Sequence, residues 1–354
     1  MKHQSDILAL KYRPKDFSDL IGQEYLVDTI QKSIQLNKIP NAYIFTGIRG
    51  VGKTTTARIV AKMLNCTSFD TSNKPDLLNC DQAKAITEDR HPDVIEIDAA
   101  SNTSVENARE IIENVKYNPV LGKYKVYIID EVHMLSKSAF NALLKTLEEP
   151  PPHSKFIFAT TEISKVPITI LSRCQRFDLR RIDKKVLSLF LETIANKENI
   201  LIEKEALNLI VKASDGSVRD ALSILDQANV FKLEDTIKTE EIINMLGYSK
   251  LSDLYNLSKN ILENNLTDLI SKLEAMYQRG SETSKILEDM MNIVNWSCKL
   301  KINSNLINDE FLTEDDKNFA SYVTQYDHGK LNIFWQSLIK GYDEIKISPH
   351  PHST

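Results

Sequence analysis

"GIRGVGKTTTAR", residues 47–58, places three of the chain's ten glycines within six positions and follows them with a lysine and three threonines. The stretch fits G-x-x-x-x-G-K-[ST] as Gly47, Gly52, Lys53 and Thr54, the pattern of a loop that wraps phosphate groups. Glycines let successive backbone N–H groups turn inward where a side chain would block the approach, and a helix opening at this point adds its own free N–H groups. Lys53 would neutralise the outer phosphates of a nucleoside triphosphate, and Thr54 would ligate its Mg²⁺. Arg49, Gly50, Val51 and Thr55 complete the expected lining. A strand-like run, "AYIFTG" (42–47), precedes the loop and a helical run, "KTTTARIVAKML" (53–64), follows it, which is the context this chemistry needs.

Working outward, "DVIEID" (93–98), "KVYIID" (125–130) and "KFIFAT" (155–160) also read as buried strands, with segments between them long enough for crossover helices. This predicts an α/β domain with a mostly parallel sheet over residues 1–180. Beyond "LRRIDKK" (179–185) helical periodicity takes over, near 184–198, 203–213, 217–231 and 239–246. Thr239 is expected to cap the last of these and Gly247 to close it, giving a small helical domain over 181–247. A second all-α domain is expected over 248–354, where Ile286, Leu287, Met290, Met291 and Val294 fall on one helix face as core.

At 354 residues the chain is long enough for two or three cores, and 42 % apolar with 26 % charged residues is ordinary for a globular protein. A net charge of −5 gives no overall basic footprint, so any contact with DNA must come from a local patch or from several copies together. Four scattered cysteines without a C-x-x-C pair fit a reducing compartment. The charged start "MKHQSDILALKYRPKDF" and the absence of a bilayer-length apolar run point to the cytoplasm.

A second element supports the phosphate loop. "VYIIDEVH" (126–133) is a strand ending in Asp130 and Glu131, where one carboxylate would hold the Mg²⁺ shell and the other would polarise the attacking water. His133 just beyond is read as structural. "FIFATTE" (156–162) ends in Thr160 and Thr161, either of which would bring a hydroxyl near the γ-phosphate. Arg173 and Arg219 lie outside the loop; each is a candidate for stabilising charge on the transferred phosphoryl group, or a surface ion pair.

Six stretches in order, "YRPKDFSDLIGQ" (12–23), "GIRGVGKTTTAR", "IEIDAASNTSVENARE" (95–110), "VYIIDEVHMLSKSAFNALLKTLEEPP" (126–151), "FATTEISKVPITILSRCQRF" (158–177) and "DGSVRDALSILDQA" (215–228), resemble the gamma/tau subunits of bacterial DNA polymerase III, AAA+ ATPases of the sliding-clamp loader. The resemblance implies an AAA+ domain, a helical lid and an all-α collar, with ATP and Mg²⁺ as ligands. It implies that Thr161, with Thr160 as the adjacent alternative, is a sensor beside the phosphates, and that Arg219 is a second sensor on the lid. Arg173 would be a finger acting in trans on a neighbouring subunit's ATP, and Tyr12 and Arg13 would flank adenine and ribose. Delta and delta-prime subunits, other copies of the chain, the sliding clamp and primed DNA are the implied partners, with no polymerase site in this chain. In "SNTSVENARE" (101–110) Thr103 and Glu106 have capping-box spacing, so a helix should start here; the resemblance places this region facing the central chamber, and Ser101 and Thr103 are read either as contacts to the DNA backbone or as a helix cap and nothing more.

Two features depart from the family. Its members commonly carry four zinc-binding cysteines after the loop helix, whereas here Cys66 and Cys80 remain, with Leu77 and Ala83 where the others are expected; even with His91 near, no structural zinc is expected. The family collar usually continues past the loop that "ISPHPHST" (347–354) resembles, so the collar is expected to be incomplete at its C-terminus, and no helicase or polymerase tether is assigned. A related AAA+ machine and a non-hydrolysing scaffold like delta-prime are the rival readings; the "SRC" and "DGSVRDAL" motifs argue against the first, and the intact phosphate loop with Asp130 and Glu131 against the second.

Overall fold

A computed structural model describes residues 7–67, 76–77, 79–246, 251–278, 281–303, 312, 314–323 and 325–348. Two compact units divide the chain: Met1–Ile194 with Val211–Gln227, and Ala195–Ile210 with Ala228–Thr354.

The first unit is built on a five-stranded sheet of β1 (Ala42–Thr46), β2 (Val94–Asp98), β3 (Lys125–Asp130), β4 (Ser154–Thr160) and β5 (Gln175–Asp178). The spatial order is β2-β3-β4-β1-β5 and every pairing is parallel. β1 and β4 are buried along their whole length, as their continuous apolar runs require when helices cover both faces. Alternation along each strand divides the core in two. Tyr43, Phe45, Val126, Ile128 and Ile157 meet the helix Lys53–Asn65 through Ala57, Val60, Ala61 and Leu64. Ile44, Tyr127, Ile129, Phe156 and Phe158 meet the helices Val105–Val115 and Lys137–Glu148 on the other face. Each fully buried Phe or Ile contributes about 1.5–3 kcal/mol of apolar transfer, so these layers hold the strand ends firmly in register. The parallel register sets Thr46 beside Thr160 and Asp98 beside Asp130, lining up the carboxyl ends where open α/β sheets bind ligands.

Four strands coincide with the expected runs; β5 was not expected. Only Phe177 of its four residues is buried, so this edge strand carries no apolar pattern to read. Two helix caps also differ. Ser104, not Thr103, caps Val105–Val115, its Oγ accepting from Asn107 N at 3.3 Å. Lys238, not Thr239, stands at the cap position of Thr239–Met245, and Glu241 accepts from its backbone N–H at 2.9 Å. Thr239 instead donates its hydroxyl to Glu203 at 2.8 Å. Gly247 lies outside the described residues.

The second unit is helical apart from β6 (Leu201–Ile202) and β7 (Thr236–Ile237), a two-residue parallel pair that interrupts the expected all-helical run. Its core joins the helices Leu251–Leu262, Leu266–Gln278, Thr283–Ile302, Glu314–Val323 and His328–Ile347. Ile286, Met290 and Val294 are buried there, with Leu287 and Met291 packed partly buried beside them, as the helical spacing predicts. Tyr255 stacks on Phe319 with ring centroids 4.2 Å apart, and its hydroxyl donates to the buried Asp316.

Candidate active site

The loop after β1 turns through left-handed backbone at Gly50 (φ +75°) and Gly52 (φ +104°), which lets the helix Lys53–Asn65 start at once with its N–H groups facing the loop. Gly50 is required for a second reason: a Cβ there would collide with Ser217 Oγ. Ser217 is buried and caps the helix Val218–Phe231, accepting from Asp220 N at 3.2 Å, and Arg219 N donates to Gly50 O at 3.3 Å. The phosphate loop therefore packs directly against the helix that carries Arg219. Sequence reasoning missed Ser217, because its partner lies far away in the chain.

Lys53 is buried, and its Nζ donates to Gly47 O at 3.1 Å and Ile48 O at 3.0 Å. Burial pushes its pKa down, while Glu131 and Asp130 nearby work in the opposite direction. Thr54 Oγ1 donates to Asp130 Oδ2 at 2.6 Å, and Asp130 Oδ1 accepts from Glu131 N at 2.9 Å. Glu131 has left-handed backbone (φ 45°), a conformation that costs a non-glycine residue about 1–3 kcal/mol and that clusters at functional sites. Its Oε2 accepts from both Thr161 N (3.2 Å) and Thr161 Oγ1 (3.0 Å). Of the two threonines, Thr161 thus meets the carboxylate, while Thr160 Oγ1 sits 3.0 Å from His133 Nδ1.

Arg13 is held over the start of the loop helix, its Nε donating to Thr55 Oγ1 at 3.2 Å. Burial, then the charges of Arg58 and Arg219, lower its pKa. Tyr12 is half-buried beside it, Val51 is buried, and Arg49 is exposed. The structure therefore gathers Arg13, the 47–55 loop, Asp130, Glu131, Thr161 and the backbone of Arg219 at one end of the sheet.

Arg173 lies apart from those contacts, in the segment after the short helix Ile168–Leu171. Its guanidinium donates to Thr169 O (2.6 Å), to Ser172 Oγ (3.2 Å) and to the Glu148 carboxylate. Ser101 Oγ donates to Asp98 O at 3.1 Å, and Thr103 is exposed with its carbonyl accepting from Ser136 N at 3.3 Å.

Cys66, Leu77, Cys80 and Ala83 join one apolar cluster, and Cys66 Sγ lies 3.7 Å from Asp76 O. Both nitrogens of His91 are engaged, Nδ1 accepting from Asp93 N at 3.1 Å and Nε2 facing Gln82, and burial lowers its pKa. Among the described residues no group of three or more His, Cys, Asp or Glu is placed to hold a metal ion; residues 68–75 are outside them. No helix of the described residues is long and apolar enough to cross a membrane.

The strand order, the phosphate loop and the acidic pair at the strand end define a P-loop domain of the AAA+ fold class. Three family patterns match: "DNA polymerase III, delta subunit" over residues 22–183, "DNA polymerase III clamp loader subunit, ATPase lid domain" over 188–231, and "DNA polymerase III subunits gamma and tau domain III" over 237–354. The chain is 39 % identical to DNA polymerase III subunit gamma of Buchnera aphidicola subsp. Schizaphis graminum, covering 97 % of this chain and 94 % of that protein. It is 41 % identical to subunit tau of Bacillus subtilis (96 % of this chain, 60 % of that one) and 38 % identical to subunit tau of Salmonella typhimurium (97 % and 53 %). The chain belongs to the gamma/tau family of DNA polymerase III subunits, and it spans about half the length of the tau subunits it matches. Among solved structures, the Thermotoga maritima RuvB Holliday junction branch migration motor shares the fold, with a TM-score of 0.50 and 19 % identity over 77 % of this chain and 86 % of that one.

Proposed function

We propose that this chain is an ATP-binding and ATP-hydrolysing motor subunit of the DNA polymerase III clamp loader, acting in the cytoplasm. It would work with delta and delta-prime subunits and further copies of itself to open the sliding clamp and load it on primed DNA. One observation carries the reading: Lys53, Thr54, Asp130 and Glu131 converge at one strand end, with Thr54 Oγ1 and Asp130 Oδ2 2.6 Å apart. Those two oxygens form a hard, all-oxygen donor pair suited to Mg²⁺, so Thr54 and Asp130 would hold the ion; when bound with ATP it supplies charge neutralisation at the phosphates.

In this reading the N–H groups of Gly47 to Thr55, with Arg49 and Val51 in the lining, cradle the phosphates and Lys53 binds the outer ones. Glu131 takes the proton of the attacking water, and Thr161 aligns Glu131 and senses the γ-phosphate. Arg13 and Tyr12 flank ribose and adenine, and Arg219 reports nucleotide from the lid, whose helix already rests on Gly50. Arg173 serves a neighbour's ATP, consistent with its lack of contact to the phosphate loop of its own chain. Ser101 and Thr103 are offered as contacts to the DNA backbone, and the functional division as ATPase domain (1–180), lid (181–247) and collar (248–354), without zinc.

The test is subunit mixing. Arg173→Ala chains assembled with delta and delta-prime are expected to bind ATP as the unsubstituted chain does, but to hydrolyse it about 10³-fold or more slowly under stimulation by clamp and primed DNA. Hydrolysis within threefold of the unsubstituted assembly would remove Arg173 from the mechanism.

A further inference from the structure

One buried side chain at the strand ends has no part in the chemistry assigned above. His133 lies in the short turn Val132–Met134 that follows Glu131, and its side chain is 6 % exposed. Its Nδ1 is 3.0 Å from Thr160 Oγ1 and 3.4 Å from Glu131 Oε2, and its Nε2 is 3.5 Å from Glu162 Oε1. A single ring therefore touches both neighbours of Thr161 and the carboxylate that Thr161 holds. Thr160 Oγ1 already accepts from Glu162 N at 3.0 Å, which leaves its hydroxyl proton to give.

The effect is a bracket. The ring is hydrogen-bonded to Thr160 and faces the Glu162 carboxylate at 3.5 Å, and Thr160 Oγ1 in turn accepts from Glu162 N, so the ring supports the segment on both sides of Thr161, whose N–H and hydroxyl are both aimed at Glu131 Oε2. Glu131 needs such support. β3 ends at Asp130 and Glu131 follows it in left-handed backbone, so the pleat of the strand no longer dictates where its carboxylate points.

We propose that His133 is a positioning residue for ATP hydrolysis: acting through Thr160 and Glu162, it fixes Thr161 and thereby the direction of the Glu131 carboxylate. The inference rests on the reading of Glu131 as the base. A ring that only filled space would be replaceable by an apolar side chain of similar volume, whereas a bracket needs the nitrogen contacts.

The experiment measures kcat for ATP hydrolysis and Kd for ATP in the assembly with delta and delta-prime, for His133→Leu, His133→Asn, Thr160→Val and the His133→Leu/Thr160→Val double variant. His133→Leu is expected to lower kcat about 10- to 100-fold with Kd within about threefold, the size of effect seen when a supporting contact at a reacting group is lost. His133→Asn, which keeps a polar atom near the Nδ1 position, is expected to recover a substantial part of that loss. The double variant is expected to be no slower than the worse single one, because both break the same contact. Equal rates in His133→Leu and the unsubstituted chain would overturn the proposal, as would additive losses in the double variant or no recovery in His133→Asn. If the unsubstituted assembly hydrolyses ATP and Glu131→Gln does so equally fast, the reading of Glu131 itself fails, an outcome distinct from the failure of His133 alone.

Discussion

Glu131→Gln is expected to lower ATP hydrolysis by about 10²–10⁴-fold while leaving the Kd for ATP within about threefold. The substitution keeps the shape of the side chain, and its amide oxygen can still accept from Thr161 N and Thr161 Oγ1, which now stand 3.2 and 3.0 Å from Oε2. What it removes is the negative charge and the site that takes the water's proton. Lys53 and the loop N–H groups, which would hold the triphosphate, are untouched. Single-turnover hydrolysis together with equilibrium ATP binding separates the two effects. A loss of binding equal to the loss of rate would show that Glu131 supports the loop and does no chemistry; a rate within tenfold of the unsubstituted chain would take the base away from this residue.

The second large effect concerns stability. Asp93 is 1 % exposed and accepts three backbone N–H groups, from Val120 to Oδ1 and from Leu121 and Gly122 to Oδ2, each at 2.7 Å. It thereby pins the turn that leads into β3, the strand that ends in Asp130 just before Glu131. Asp93→Ala leaves three donors without their charged partner and is expected to cost about 3–5 kcal/mol. That corresponds to a fall of about 6–20 °C in the melting temperature of the first unit, at about 2–4 °C per kcal/mol. Burial by itself would raise the Asp93 pKa, but the N–H groups of Gly122, Val120 and Leu121 outweigh it and hold the carboxyl below its ordinary value. The folded-state pKa is depressed, so this stabilisation is complete above the unfolded value of about 3.9 and is lost as pH falls through the folded one. The difference in stability between the unsubstituted chain and Asp93→Ala should accordingly be constant from pH 8 to pH 5 and shrink below about pH 4. Thermal melts across that range check it; a difference that persists unchanged at pH 2.5 would mean that the carboxylate charge contributes nothing.

The part of this site that could be read from the sequence is the part made by adjacent residues. Gly50 and Gly52 need left-handed backbone within a few positions of Lys53, and Asp130 and Glu131 end a run of buried residues, so spacing alone marks them. Cap positions were harder, because Thr103 and Ser104 are both competent acceptors, and only the helix start decides that Ser104 faces Asn107 N. β5 has one buried residue in four and therefore no periodicity to detect. The contacts that escaped join distant segments: Ser217 beneath Gly50, Asp93 on the 120–122 turn, and Glu148 on Arg173. Each follows from how the sheet and its helices pack, which local pattern does not encode. His133 was legible as a residue but not as a bracket, since that depends on β4 ending beside β3.

A motor of the proposed kind hydrolyses ATP in a way that depends on assembly. The most direct measurement is the steady-state rate of ATP hydrolysis by the purified chain, alone and then with delta and delta-prime subunits, the sliding clamp and primed DNA. A low rate is expected for the chain alone, because Arg173 does not reach the phosphate loop of its own chain, and a rise of tenfold or more once the full set is present. Tight ATP binding with a rate that no combination changes would contradict it and leave the chain a nucleotide-binding scaffold.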